Sequence, residues 1–286
     1  MFDRVLVRGY DGKDYELTFH IPSSSTTLLV LPGTINIKTI AKLLTGLEKP
    51  KKGIIRYEFG KEEKFGSTLY EPGFLDDPYV NIYELLHSLL EAGAANEILR
   101  ICEGLGFRIN KETLNIELPR SLRKLISILY TLHSRGKLSV LIEPFAELDD
   151  TMLAILNHEM RRLNNNGKTI VAITNNSVYL RTEFDLYDYA IIINRDGKIV
   201  SGDKEKFKGK EILRNTYVYE VRGKQEFIEK IIGIPGLKGF IKLTKNHYWV
   251  FVERGYKHLI AQSLHDCLKE KLIIRYRFIG QQKIRG

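Results

Sequence analysis

Cysteine is almost absent from this chain, which has only Cys102 and Cys267 among 286 residues. Two isolated cysteines exclude the disulfide frameworks of small secreted proteins. Long apolar runs are also missing, since none approaches the roughly 18 residues that a membrane-spanning helix needs. The first residues, MFDRVLVRGYDGKDYE, carry charges where a signal peptide has an apolar core. We therefore expect a cytoplasmic protein, or one bound peripherally to the inner face of the cell membrane.

The excess of positive charge is confined to one end of the chain. The net charge is +9, and residues 214–286 alone contain 15 Lys and Arg against 6 Asp and Glu. A neutral body with a basic C-terminal part suggests two modules. An anionic lipid, a nucleic acid or an acidic protein would be attracted to the basic one. A solvated, lysine-rich surface is the alternative interpretation of the same charges.

The pattern of apolar residues predicts an α/β protein. Strand and helix patterns alternate up to about residue 212, which favours a parallel or mixed sheet with helices on its faces. Beyond that point the predicted elements follow the order βαββαβ, as in ferredoxin-like domains. We expect an α/β domain over 1–212, with a helical subdomain at about 74–135, and a small basic α+β domain over 213–286.

The segment PGTINIKT, between the strand LLVL and a predicted helix, stands where a phosphate-binding loop would stand. Such loops follow G-x-x-x-x-G-K-[ST], in which glycines let backbone N–H groups surround phosphate, Lys adds charge and Ser or Thr binds Mg²⁺. Here Pro32 and Ile37 take the two glycine positions. Lys and Thr at a helix start are also common as solvated residues. The candidate nucleotide-binding residues are Gly33, Thr34, Asn36, Ile37, Lys38 and Thr39, with Thr39 as the Mg²⁺ ligand.

The middle of the chain has a second informative segment. The apolar run 138–142 reads as a buried strand, and Glu143 and Pro144 follow it directly. Asp149 comes a few residues later. In order and spacing this segment resembles the Walker B strand and the D-loop of ABC transporter ATP-binding subunits.

The resemblance to that family covers residues 1–212. The helix and turn after the phosphate-loop position, AKLLTGLEKPKKGII, are similar as well. Tyr10 falls where the family stacks an aromatic ring on adenine. The resemblance implies a P-loop NTPase-like ABC ATPase domain, ATP and Mg²⁺ as cofactors, and a transmembrane permease as partner.

Most residues that carry the chemistry of the family are replaced. Ile142 stands at the position of the Mg²⁺-binding aspartate, and Asn175 at that of the switch histidine. The family's Gln-containing loop would lie near 71–75, where no glutamine is present. At the position of the LSGGQ signature the chain has Leu118, Pro119, Arg120, Ser121 and Leu122.

Glu143 is the one residue of catalytic type kept in register, and a structural carboxylate before a turn-setting proline is its alternative role. The leading hypothesis is therefore an ABC transporter ATP-binding subunit that is catalytically impaired or inactive and binds ATP and Mg²⁺ weakly or not at all. It would serve a permease and a second, competent ATPase subunit. A heteromer is favoured, because a homodimer would oppose two altered signatures and two altered loops.

Two other hypotheses stay open. The first is a functional ATPase subunit of an ABC exporter that tolerates the replacements. The second is an ABC-like binding module that uses its basic C-terminal domain to contact nucleic acid or an acidic partner.

Overall fold

The computed structural model describes residues 1–57, 66–71, 77–182, 186–207, 216–244 and 246–281. The chain passes repeatedly between two units. Unit 1 comprises Met1–Leu6, Thr18–Thr27 and Ile37–Ile173, and unit 2 comprises Val7–Leu17, Leu28–Asn36 and Thr174–Gly286. The predicted domain boundary at 212/213 lies outside the described residues, so the division at that point remains a prediction.

Strands and helices alternate along most of the described chain. The strands are β1 (Phe2–Arg8), β2 (Asp14–Phe19), β3 (Thr26–Val30), β4 (Ile54–Ile55), β5 (Ser67–Tyr70), β6 (Leu138–Ile142), β7 (Thr169–Thr174), β8 (Tyr189–Ile193), β9 (Ile199–Asp203), β10 (Thr216–Gly223), β11 (Leu237–Thr244), β12 (His247–Glu253) and β13 (Ile273–Gln281). The helices are α1 (Ile37–Thr45), α2 (Ile82–Leu89), α3 (Ala92–Gly104), α4 (Arg120–His133), α5 (Asp150–Asn165), α6 (Tyr179–Thr182), α7 (Glu226–Ile231) and α8 (Lys257–Lys269).

The largest sheet has the strand order β5-β6-β7-β3-β8-β9. β6 pairs in parallel with β5 and with β7, whereas β8 and β9 form an antiparallel hairpin. Every residue of β3, β6 and β7 is buried, as expected of central strands covered on both faces. The mixed sheet predicted from the alternating pattern is confirmed. A smaller sheet has the order β2-β1-β4.

The C-terminal elements of unit 2 form a separate antiparallel sheet in the order β11-β12-β10-β13. Its core contains Val221 and Val250 from the strands and Phe227, Ile260 and Leu264 from α7 and α8. Both helices therefore pack on one face of the sheet. This is the βαββαβ arrangement that the sequence predicted.

Helices α2, α3 and α4 fill the region predicted as helical subdomain. Asn81 caps α2, because its side chain accepts a hydrogen bond from the N–H of Glu84 at 3.0 Å. The apolar face of α4 is fully buried, and Leu122, Leu125 and Leu129 lie on it. Among the residues described, no helix is both long and apolar enough to cross a membrane.

One buried carboxylate connects α4 to the next helix, α5. Glu159 on α5 accepts a hydrogen bond from Arg162 at 2.7 Å and lies 2.9 Å from Nε2 of His133 on α4. Burial alone would raise the pKa of Glu159, but hydrogen bonds from His133 and Arg162 outweigh it and bring the pKa to about 2. The carboxylate therefore joins α4 to α5 in its charged form.

We expect Glu159→Gln to lower the free energy of unfolding by about 2 kcal/mol, because the two partners lose a buried acceptor of full charge. Glu97→Gln is the matched control. Glu97 pairs with Arg100 at the same i,i+3 spacing, but this pair lies at the surface, so its loss should leave the free energy of unfolding almost unchanged. Denaturant unfolding at neutral pH measures both values.

The pKa of Glu159 also sets a pH dependence. Because the folded-state pKa is lowered, its stabilisation is present above the ordinary pKa of 4.5 and is lost as the pH falls towards about 2. The unmodified chain should lose its advantage over Glu159→Gln in that window. An equal free-energy difference at pH 7 and pH 2.5 would contradict this role.

Candidate functional site

The loop after β3, residues 31–36 of unit 2, is a closed turn. The N–H of Ile35 donates to the carbonyl oxygen of Pro32 at 2.9 Å, and the N–H of Leu31 donates to that of Thr174 at 2.9 Å. Pro32 has no N–H group. Three of the six backbone nitrogens of the loop are therefore withheld from any phosphate.

Asn175, at the switch position, holds the start of the same loop. Its side-chain Nδ2 donates to the carbonyl oxygens of Leu31 at 3.1 Å and Pro32 at 3.3 Å. An amide does not titrate, so Asn175 cannot take or give a proton as a histidine can. The structure thus gives this position a structural role in fixing the backbone.

The hairpin of β1 and β2 holds the other side of the loop. Thr34 has its hydroxyl 3.0 Å from the Tyr15 hydroxyl, and its carbonyl accepts the N–H of Tyr10 at 2.8 Å. The side chain of Tyr10 is 73% exposed. The aromatic ring expected for adenine stacking therefore lies at the surface, attached to the loop through its backbone.

Helix α1 of unit 1 begins at Ile37, so Lys38 and Thr39 lie in its first turn, as predicted. The Nζ of Lys38 lies 3.3 Å from Oε2 of Glu71, the residue that follows β5. A phosphate approaching Lys38 would meet this carboxylate, and the two negative charges repel each other. Residues 72–75 of the predicted Gln-loop position lie outside the described residues.

The Walker B position belongs to the hydrophobic core of unit 1. Ile142 is 1% exposed and lies opposite Ile173 of β7, so it fills apolar space where the family has a metal-binding carboxylate. The N–H of Glu143 donates to the carbonyl oxygen of Ile173 at 2.8 Å. Its φ of +46° is unusual for a residue with a side chain.

A lysine that the sequence analysis did not identify fixes the turn after β6. Lys124 on α4 donates from Nζ to the carbonyl oxygens of Glu143, at 2.8 Å, and of Ala146. It satisfies two backbone acceptors in a turn that includes a second left-handed residue, Glu147. Its spacing from Glu143 in the sequence gives no signal of this contact, which depends on how α4 packs.

The D-loop and signature positions also have structural partners. Asp149 caps α5, because its Oδ1 accepts the N–H of Met152 at 2.8 Å. Arg120, the first residue of α4, forms an ion pair with Glu147 at 3.0 Å. At the remaining signature positions, Leu118 and Leu122 are buried, Pro119 precedes the helix without a side-chain cap, and Ser121 is partly exposed.

The residues at these positions differ from those with which the family holds ATP and Mg²⁺. Backbone N–H groups of the loop 31–36 already donate to carbonyl oxygens of the protein. Lys38 is paired with a carboxylate, and an isoleucine stands at the position of the metal-binding aspartate. In the described part of the chain, no group of three or more His, Cys, Asp or Glu residues could hold a metal ion.

The strand β13 carries Arg275, Tyr276 and Arg277 in succession, and an aromatic side chain between arginines can stack on nucleic-acid bases. Tyr276 packs against the hydrophobic core of the C-terminal sheet, and Nε of Arg277 donates to Glu220. Tyr276 therefore does not present a free aromatic face beside the arginines. This arrangement does not favour the nucleic-acid alternative.

Comparisons with known proteins agree on the architecture. No protein-family model matches the sequence. The chain is similar to the energy-coupling factor transporter ATP-binding protein EcfA of Carboxydothermus hydrogenoformans, with 27% identity over 219 residues that cover 70% of this chain and 78% of that protein.

Two solved structures illustrate the likeness. MJ1267, an ATP-binding cassette of an ABC transporter in its ADP conformation, has a TM-score of 0.54 and 18% identity, covering 72% of this chain and 92% of that one. The protein cbiO1 of Clostridium perfringens, part of the ABC transporter complex cbiONQ, has a TM-score of 0.51 and 18% identity, covering 75% and 94%. The fold is that of an ABC ATP-binding cassette, as the resemblance predicted.

Proposed function

We propose that this chain, which has the ABC ATP-binding cassette fold and a sequence relationship to an energy-coupling factor ATP-binding protein, is the ATP-binding-type subunit of an ABC transporter and is catalytically impaired. The observation that carries the proposal is that the replaced residues make structural contacts of their own. Ile142 fills core space, and Asn175 holds the loop backbone. Lys38 is paired with Glu71.

The magnitude of the expected loss favours an inactive subunit. Removing one group that stabilises charge at an active site typically costs about 10²–10³ in rate. Such groups act as a unit, so their losses do not multiply freely. Here the phosphate loop, the Mg²⁺ position, the switch position and the signature are all altered. Glu143 alone has no bound substrate to act on.

The proposed role is structural or regulatory. The subunit would complete a heteromeric pair with a competent ATPase subunit, because a homodimer would combine two altered loops with two altered signatures. Its attachment to the inner face of the membrane would come from the permease. The proposal includes the division into a cassette domain at 1–212 and a basic domain at 213–286.

An exposed apolar pair in the helical region of unit 1 suits contact with a permease. The side chains of Tyr79 and Ile116 are 76% and 61% exposed. They belong to two loop segments joined by hydrogen bonds, from the N–H of Ile116 to Pro78 at 3.0 Å and from Asn115 Nδ2 to Asp77 at 2.9 Å. Large apolar side chains held at the surface are typical of protein interfaces.

Phosphate release from ATP and Mg²⁺ by the purified chain tests the catalytic part of the proposal. We expect no release above that of Glu143→Gln prepared in the same way, because the retained carboxylate has no properly held substrate. The variant also controls for contaminating ATPases. Steady turnover that Glu143→Gln abolishes would show a working ATPase and refute the impaired role.

Sedimentation of the full chain with native membranes of its source tests the permease contact. We expect the double variant Tyr79→Asp, Ile116→Asp to lose most of the sedimenting fraction, since a charge cannot be desolvated in an apolar interface without a large cost. Leu47→Asp is the matched control, because Leu47 is also an exposed apolar residue of unit 1, 66% exposed.

Vesicles of the extracted lipids separate the two sources of binding. If the chain sediments equally with protein-free vesicles, the lipid surface is the partner and the permease contact is refuted. Equal losses for Leu47→Asp and the double variant would likewise contradict a specific apolar interface.

A further inference from the structure

The C-terminal part of the chain lies against the altered phosphate loop. Both belong to unit 2, as do the residues that follow β7. The contact is made by residues 232–240, which run from the end of α7 into β11. It involves backbone packing and hydrogen bonds, and an apolar cluster joins Val178 to the C-terminal sheet beside it.

The closest contact is at Gly33. A β-carbon added to this glycine would overlap the carbonyl oxygen of Ile232 and would lie 3.3 Å from the Cα of Gly233. No side chain fits between the loop and this peptide group. In phosphate-binding loops a glycine allows phosphate to approach the backbone, whereas here the absence of a side chain allows another segment of the same chain to do so.

A second contact uses the side chain of Asn176 as a substitute for a peptide group. Its Nδ2 donates to the carbonyl oxygen of Phe240 at 2.6 Å, and its Oδ1 accepts the N–H of Phe240 at 3.2 Å. Gly239 makes the approach feasible. A β-carbon there would overlap Oδ1 of Asn176, and its φ of +147° is one that side chains rarely adopt.

Neighbouring groups extend the contact on both sides. The N–H of Ser177 donates to the carbonyl oxygen of Lys238 at 3.1 Å. Arg195, in the turn between β8 and β9, donates to the carbonyl oxygen of Ile234 at 2.8 Å. Four residues on one side thus contact five on the other. This set comprises Gly33, Asn176, Ser177 and Arg195 against Ile232, Ile234, Lys238, Gly239 and Phe240.

Apolar burial adds to these polar contacts. Val178, which follows Ser177, forms a cluster with Val218 and Phe251 of the C-terminal sheet, and each of the three is 1% exposed. Trp249 packs against this cluster. Burial of apolar side chains is the dominant favourable term in association, so the docking of the C-terminal sheet has a substantial apolar component.

We propose that the loop 31–36 and the adjoining residues 175–178 form a docking surface for the chain's own segment 232–240, which takes the place that phosphate has in ATP-binding loops. The misfit of the loop for ATP follows from this exchange, because a docked peptide needs a closed and rigid surface. The inference does not depend on a transporter role. It would hold for any protein with these contacts.

The exchange also changes what a partner subunit would meet. A protein that approached Gly33 from the side of its missing side chain would meet residues 232–233. Where a nucleotide would bridge two subunits through this loop, the partner subunit would therefore contact a protein surface instead. The basic C-terminal domain would then form part of the interface on this side.

Emission of Trp249, the single tryptophan, reports the docking through the Val178 cluster, which a side chain at position 239 would contact. In the full chain, Gly239→Val should drive the segment away from Asn176 and shift the emission to longer wavelength. The amide of Ser177 should then exchange its hydrogen about tenfold faster or more, since its bond to Lys238 is lost. Asn176→Ala removes the same contact from the other side and should act alike.

Gly233→Ala is the matched control, because a β-carbon at Gly233 meets open space. It should leave emission and exchange as in the unmodified chain, and slow exchange in β6 and β7 should show that every variant is folded. Millimolar pyrophosphate should change neither signal in the unmodified chain. Unchanged signals in both Gly239→Val and Asn176→Ala, or undocking by pyrophosphate, would overturn the proposal. Neither result bears on ATP turnover, which tests the proposed function separately.

Discussion

The parallel pairing of β6 with β7, residue for residue from Leu138–Thr169 to Ile142–Ile173, is the constraint on which the rest of unit 1 depends. Every side chain of both strands is buried. The register fixes where β6 ends, and the bond from the Glu143 N–H to Ile173 fixes how the chain leaves it. Apolar burial at about 25 cal/mol per Å² supplies this stability without any contribution from nucleotide. The packing of the two strands thus stabilises the cassette frame independently of a nucleotide.

Polar residues at and near the motif positions satisfy the protein's own backbone. An unsatisfied buried acceptor costs about 1–3 kcal/mol, so each carbonyl at a strand end or tight turn needs a donor. Asn175 donates to a carbonyl oxygen at the start of the loop, and Lys124 donates to one in the turn after β6. Asp149 accepts a backbone N–H in the first turn of α5. These contacts account for polar residues at functional positions without requiring catalysis.

Much of the fold was predictable from the sequence. The runs 138–142 and 169–174 are mostly apolar, and the structure has β6 and β7 at these bounds. The helix α4 was also predictable, because its apolar residues recur at helical spacing. β5 was missed, because STLY is short and only Tyr70 in it is buried, so it shows neither an apolar run nor a clear alternation. Its parallel partner β6 determines it instead.

The contacts that define the candidate site were not predictable. The motif positions came from order and spacing, but the partners of those residues come from distant parts of the chain. Asn176 and Phe240 are 64 residues apart, and Lys124 and Glu143 are 19 apart. Neither spacing follows a helical or strand period. No sequence pattern marks Gly33 and Gly239 as necessary. Each must be glycine because a distant segment of the chain lies where its side chain would be.

Calorimetric titration of the unmodified chain with ATP, with and without Mg²⁺, tests most directly the claim that the cassette frame persists without its nucleotide chemistry. The account predicts no measurable binding in the micromolar range and no effect of Mg²⁺. Micromolar binding that Mg²⁺ strengthens and Lys38→Ala weakens would contradict it, because the altered loop would then still hold phosphate.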